Sequence, residues 1–320
     1  MTRALAGAAR LPALAPLAAG ATSGSLFAAS LWFPPLGFLL SLASPLPVAI
    51  EAWRRGPGAA GVATLTGAAA VWLLGGPVGA AVYVSQFAAA GCALGIAARS
   101  VRSPTWVVGS YTAVAMAAFG ASLLWLATRS GLGLQGFLDQ TLTDTLDRAV
   151  QQLLQGNMDA QTTLAVQTWA EQTRNVMLLT FPGLYGILAL LTGWGNALAL
   201  RRIVGSDDPW HTWKAPESWI WILVGSGLLG MIAPSPWGTA ALNLFLVVAA
   251  VYFLQGLAII QNLFETRSFP RLFRVGAYVL LFVQLPVMLV VAGIGAFDLW
   301  FDFRSRWAPP PADGAEPPKT

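Results

Sequence analysis

Apolar residues recur along this chain in runs long enough to cross a hydrocarbon core of about 30 Å, and arginine, proline and glycine gather in the stretches between them. Nine such runs can be marked, over 11–32, 36–52, 59–74, 78–98, 105–128, 176–200, 219–232, 238–260 and 275–297. The second, third and seventh are short or interrupted by proline and glycine. This layout predicts an all-α polytopic integral membrane bundle of about nine transmembrane helices, or eight if one weak run fails to cross. The bundle forms one domain over 1–307, followed by a Pro-rich, polar tail, 308–320, expected to be disordered.

The periodicity changes once, between residues 128 and 175. There Leu134, Phe137, Leu138, Leu142, Leu146, Val150, Leu153 and Leu154 fall at three- and four-residue steps, with Asp139, Asp144, Asp147, Gln151 and Gln152 between them. That spacing predicts an amphipathic helix. Its acidic face disfavours anionic lipid headgroups, so the expectation is an extracytoplasmic insertion packed over the end of the bundle, as a fixed cap or a lid.

Composition agrees with the pattern: 56% of the residues are hydrophobic and 10% charged, and the mean hydropathy of +0.63 lies outside the range of water-soluble domains. The single cysteine, Cys92, sits inside an apolar run, so no disulfide framework, Cys-based zinc site or iron–sulfur site is available. A net charge of +4 invites a nucleic-acid reading, but the arginines come in scattered pairs and form no stripe, which excludes it.

Counted over alternate loops, the basic residues divide unevenly. Twelve fall in one set (Arg3, Arg10, Arg54, Arg55, Arg99, Arg102, Arg201, Arg202, Lys214, Arg267, Arg271, Arg274), and six in the other. The larger set marks the cytoplasmic face, which puts the amino terminus in the cytoplasm and the carboxyl terminus outside, in a bacterial inner membrane. The first run, with "LPALAPLAAG" followed by "ATSGS", also fits a cleaved secretory signal; the other eight helices would keep their orientation.

Catalytic patterns fail. The one histidine, His211 in "DDPWHTWK", belongs to neither a Ser-His-Asp set nor an H-E-x-x-H site. Two G-x-G-x-x-G matches, at Gly131 and Gly225, follow no strand and fit helix packing. No phosphate-binding loop occurs. The chain is therefore expected to be no enzyme and to need no cofactor or metal.

What remains is a set of polar side chains at membrane depth: Gln86, Asn196, Asn243, Gln255 and Gln284, with Tyr83, Tyr185 and Tyr252. Facing lipid would be costly, so each is expected to face the interior. Interhelical hydrogen bonding accounts for most of them. The functional reading is that Asn243, Tyr252 and Gln255 line a cavity for a small uncharged polar solute. The near absence of buried charge weighs against an ion-coupled carrier.

The C-terminal third carries a resemblance. "WKAPESW" (213–219), "ALNLFLVVAAVYFLQGLAIIQNL" (241–263) and "GAFDLWFDFRSR" (295–306) resemble the YybS-like family of predicted membrane proteins, whose domain has no established function. That family in turn is similar to the substrate-binding S components of energy-coupling factor transporters. The resemblance implies solute capture, with energy supplied by a separate ATPase module. S components have six helices, which this chain exceeds.

The last of these stretches crowds Asp298, Asp302, Arg304 and Arg306 behind an apolar run. A four-residue step puts the two carboxylates on one helical face, with Trp300, Phe301, Phe303 and Trp307 as an interfacial belt. An ion-paired helix end at the membrane boundary is expected, or a gate against the amphipathic insertion. A cation held between the two carboxylates lacks a third ligand. Taken together, these features predict a solute-binding or transport-related membrane protein that contacts lipid. The alternative is a non-transporting scaffold that docks a cytoplasmic partner through the 204–217 loop, using Trp210, Trp213 and Glu217.

Overall fold

The computed structural model describes residues 2–101, 103–154, 159–205, 213–303 and 306. Among them every regular element is helical. The chain groups into two compact units, Met1–Ser206 and Asp207–Thr320, where the sequence pattern suggested one bundle.

The first unit holds α1 (Thr2–Trp32), α2 (Pro34–Ser41), α3 (Pro45–Arg55), α4 (Pro57–Val82), a π-helical turn (Tyr83–Ala88), α5 (Ala89–Ser100), α6 (Pro104–Ser130), α7 (Gly133–Leu153) and α8 (Ala160–Val204). Its core joins Phe27 of α1, Val48 of α3, Ala63 and Val71 of α4, and Tyr83. Proline opens α2, α3, α4 and α6, where its missing N–H costs nothing and its fixed φ suits the first turn.

The apolar stretch Pro57–Ser100 is 44 residues long, about 66 Å if straight, and it is not straight. Gly76 adopts φ 75° and ψ −176°, a backbone region closed to residues with a Cβ, and Pro77 follows. The chain reverses there: the Tyr83 hydroxyl lies against Gly67, and Gly79 lies beside Val71. The two arms therefore form an antiparallel hairpin with almost no loop.

The amphipathic segment forms α7, and no residue of it is buried. It lies along the first half of α8, where Arg174 of α8 reaches Asp139 at 3.2 Å and the Thr143 hydroxyl at 3.3 Å. Residues 160–175, expected within the insertion, instead extend α8 into one helix of 45 residues, about 68 Å long. The Asp159 carboxylate caps it by accepting the Thr162 N–H at 3.2 Å.

The second unit holds α9 (Trp219–Ile232), α10 (Trp237–Thr266), α11 (Arg271–Val283) and α12 (Leu285–Phe301). Phe253 of α10, Leu281 of α11 and Val291 of α12 pack together. The α11 and α12 axes meet at 103°; Gln284 between them is extended, and Pro286 removes a helical donor.

By length and composition six helices can cross a membrane, seven if the bent α11–α12 pair is one span. The expected nine reduces for physical reasons. Runs 59–74 and 78–98 count there as the one stretch Pro57–Ser100, although they are the two arms of the hairpin at Gly76; run 219–232 is only the 14-residue α9, about 21 Å long against a core of about 30 Å; and run 275–297 is the broken pair. The tail, 308–320, lies outside the described residues.

Candidate functional site

In the second unit α9 runs antiparallel to α10, with Gly227 against Phe245 and Gly230 against Leu242. α12 runs antiparallel to α10 as well. There Gly295 rests on the backbone of Tyr252 and Gly256, and Gly256 rests on the Val291 carbonyl, an approach that leaves no room for a Cβ. α10 has 30 residues, about 45 Å, whereas α9 and the 17-residue α12 reach about 21 and 25 Å. In this register the start of α9 and the end of α12 both come level with the middle of α10. Non-helical backbone at that depth must find partners inside the protein.

Gln255 and Asp298 provide them. Gln255 Oε1 accepts the Ala215 N–H at 2.9 Å, which ties the extended 213–216 strap to α10. Its Nε2 donates to Asp298 Oδ2 at 3.3 Å. Asp298 Oδ1 accepts the Phe303 N–H at 2.9 Å, so the chain leaving α12 is held by a side chain of that helix's own last turn. Asp302 ends α12 in the left-handed region at φ 41°, and its carboxylate takes Lys214 Nζ at 2.8 Å. Asp298 is 0% exposed and Gln255 3%, while the Lys214 and Asp302 side chains are about half exposed. Among the described residues no basic side chain touches Asp298. Strap, α10 and α12 are thus clasped by two polar links, one buried and one open.

The three stretches that carried the resemblance are the ones that meet here, supplying Lys214 and Ala215, Gln255, and Asp298 and Asp302. The model of the family described as "Predicted membrane protein (DUF2232)" matches residues 23–299. The chain belongs to this family. No curated protein and no solved structure matches this DUF2232 chain.

The sequence-derived candidates of the DUF2232 chain do not form one site. Tyr252 and Gln255 are neighbours and both are buried. Asn243 is buried as well, but lies twelve residues from Gln255, about 18 Å along the helix, and its Nδ2 donates to the Thr239 carbonyl at 2.7 Å, one turn back on α10. A cavity of about 380 Å³ beside α10 is lined by Trp221, Ile222, Ser226, Leu229, Trp237 and Leu244 among others. It is largely apolar, and Asn243, Tyr252 and Gln255 do not line it.

The C-terminal charges also differ from expectation. Asp298, expected at an interfacial boundary, is fully buried because the glycine contact draws α12 against the middle of α10. Asp302 pairs with Lys214, a partner the sequence did not suggest. The Arg306 guanidinium stands over the Phe301 ring at 5.7 Å, and Arg304 lies outside the described residues. Alternate-loop counting assigned Lys214 and the end of the last helix to opposite faces of the membrane. An ion pair of 2.8 Å cannot bridge a core of about 30 Å, so that assignment fails at this loop. Of the docking residues, Trp213 is half-buried and Glu217 exposed, while Trp210 lies outside the described residues.

Lys214 and the Ala215 amide were not singled out from the sequence. The "WKAPESW" stretch carries Pro216, a sign of extended backbone before it, but nothing local shows which side chain receives that backbone. The polar residues of the first unit act as interhelical links. Tyr83 Oη donates to Ser23 Oγ at 2.8 Å and Ser23 Oγ to the Ser44 carbonyl at 2.6 Å. Gln86 accepts from Tyr185 Oη and donates to Ser122 Oγ at 3.4 Å. Asn196 Nδ2 donates to the Leu42 and Thr192 carbonyls at 2.7 and 2.8 Å.

Proposed function

We propose that this protein binds a small uncharged polar solute among its membrane helices and serves its transport, in the manner of an S component energised by a separate ATPase module. The observation that supports the reading is the clasp at the middle of α10, where Gln255, Asp298 and unwound backbone bring hydrogen-bonding groups together at membrane depth. Broken helices at this depth are the usual setting of solute sites in transporters, and polar side chains there are expensive without a use. The proposal assigns no enzymatic step and no cofactor. We place the protein in a bacterial inner membrane with its amino terminus cytoplasmic, because Arg54, Arg55 and Arg99 all flank the α4–α5 hairpin, and Arg99 lies beside Gly56.

The test is thermal unfolding of the purified chain across a panel of uncharged polar solutes. One compound should raise the unfolding temperature saturably, and Gln255→Leu should abolish the response; an unresponsive panel counts against solute binding. The alternative, a scaffold docking a cytoplasmic partner, draws on the exposed Glu217 and half-buried Trp213 on a strap anchored through Lys214 and Ala215. Co-purification that is lost with Trp213→Ala but insensitive to Gln255→Leu would favour it.

A further inference from the structure

We propose that the buried end of α12 binds a monovalent cation, with the Asp298 carboxylate as its charged ligand. Asp298 is 0% exposed, and both of its hydrogen bonds come from neutral donors, the Gln255 amide and the Phe303 N–H. The basic side chain brought in by the strap, Lys214, contacts Asp302 instead, and Arg306 stands over Phe301. A carboxylate sealed in a low-dielectric interior without a counter-charge is strongly disfavoured. A positive ion restores neutrality.

The backbone favours the same occupant. The end of a helix is its negative pole, and its last carbonyls have no intrahelical donor. At α12 this deficit is sharpened, because the Phe303 N–H donates to Asp298 Oδ1 rather than to the Leu299 carbonyl that a regular i to i−4 bond would use. The Leu299 carbonyl is thereby released next to the Asp298 carboxylate in the chain, where α12 ends beside the middle of α10. Unwound carbonyls and helix C-terminal ends at mid-membrane are the ligands that sodium sites in transporters use.

Valence and hardness narrow the class. A single carboxylate balances one positive charge, and a divalent ion would leave an excess buried. Among the described residues no group of three or more His, Cys, Asp or Glu is available to a transition metal, and oxygen donors suit a hard ion. An alkali cation meets both conditions. The cation site does not require the solute reading, since it stands on Asp298 and the helix end alone.

The experiment follows the unfolding temperature of the full chain in detergent by tryptophan fluorescence, in sodium, potassium or choline chloride at constant ionic strength, with no solute present. Sodium or potassium should raise it saturably by a few degrees over choline. Asp298→Asn, which keeps the shape and removes the charge, should abolish the rise, and Asp144→Asn, at an exposed position on α7, should keep it. Equal unfolding in all three salts overturns the proposal, as does a rise that survives Asp298→Asn. Stabilisation by acid alone, reproduced by Asp298→Asn, places a proton on Asp298 and overturns it too. Should Asp298→Asn fail to fold, equilibrium binding of radioactive sodium or rubidium to the parent chain decides: one saturable site per chain supports the proposal, and none refutes it.

Discussion

Replacing Gln255 with leucine isolates what the clasp contributes. The two side chains are close in volume, so the change removes hydrogen bonds without opening a cavity. Two buried groups lose their partner: the Ala215 N–H, held at 2.9 Å, and Asp298 Oδ2, at 3.3 Å. Each orphaned group costs about 1–3 kcal/mol, and the added apolar burial returns about 1–2 kcal/mol, which leaves a net loss centred on about 2.5 kcal/mol and no larger than about 5 kcal/mol. The assay is reversible unfolding in mixed micelles, combined with hydrogen exchange at the Ala215 amide. If the bond to Gln255 holds the strap, exchange at Ala215 should accelerate about tenfold for every 1.4 kcal/mol lost locally, while amides in the middle of α6 are unaffected. A loss below about 0.5 kcal/mol, within the ordinary scatter of surface substitutions, with unchanged exchange at Ala215, would refute the reasoning: the strap would then be held by packing.

Gly295→Ala should destabilise the second unit by about 1–3 kcal/mol, the range for overpacking, because a Cβ there meets the Tyr252 carbonyl. Gly293→Ala on the same helix, with open space at its Cβ, should be neutral or stabilising by up to about 1 kcal/mol; chemical unfolding of the pair checks this. A double-mutant cycle on Lys214 and Asp302 should give a coupling of about 1 kcal/mol or less that weakens in salt, because both side chains are half exposed. Tyr83→Phe should cost about 1 kcal/mol through loss of the hydrogen bond to Ser23, measured by the same unfolding. Hydrogen bonds from the Thr162 side chain and N–H hold the Asp159 carboxyl below its ordinary value. That group therefore stabilises the start of α8 above its unfolded pKa, and the contribution fades as pH falls through the folded one, so Asp159→Ala should differ from the parent at neutral pH and match it in acid.

The apolar runs were legible because their length answers to one property, the thickness of the hydrocarbon core: each of them is mainly helical, and those over 105–128 and 219–232 became α6 and α9 with nearly the expected bounds. Gly76 and Pro77, and Gln284 and Pro286, were visible as interruptions, but whether an interruption bends, reverses or only weakens a helix depends on what the next segment packs against. Asp298 was misplaced for the same reason. Its neighbours Trp300, Phe301 and Phe303 compose an interfacial belt in any local view; only the Gly295–Gly256 approach, forty residues apart in sequence, slides that end against the middle of α10. The Lys214–Asp302 pair spans a still longer separation, and no local pattern announces it. Gln255 was singled out correctly as a buried polar residue, since cost alone identifies such groups, but its partners were beyond the reach of cost.

The reversal at Gly76 bears on how the protein enters its membrane. Two arms joined by a turn of almost no length cannot be threaded one after the other, since the first arm has no tether on the far side from which to wait for the second. They must partition together, as a preformed pair emerging from the translocation machinery. Their flanks, Arg54 and Arg55 before and Arg99 after, then end on one and the same side, and no charge is carried across. Separating the arms with an inserted soluble domain at Gly76 should convert this single concerted event into two, each dependent on export of the insert.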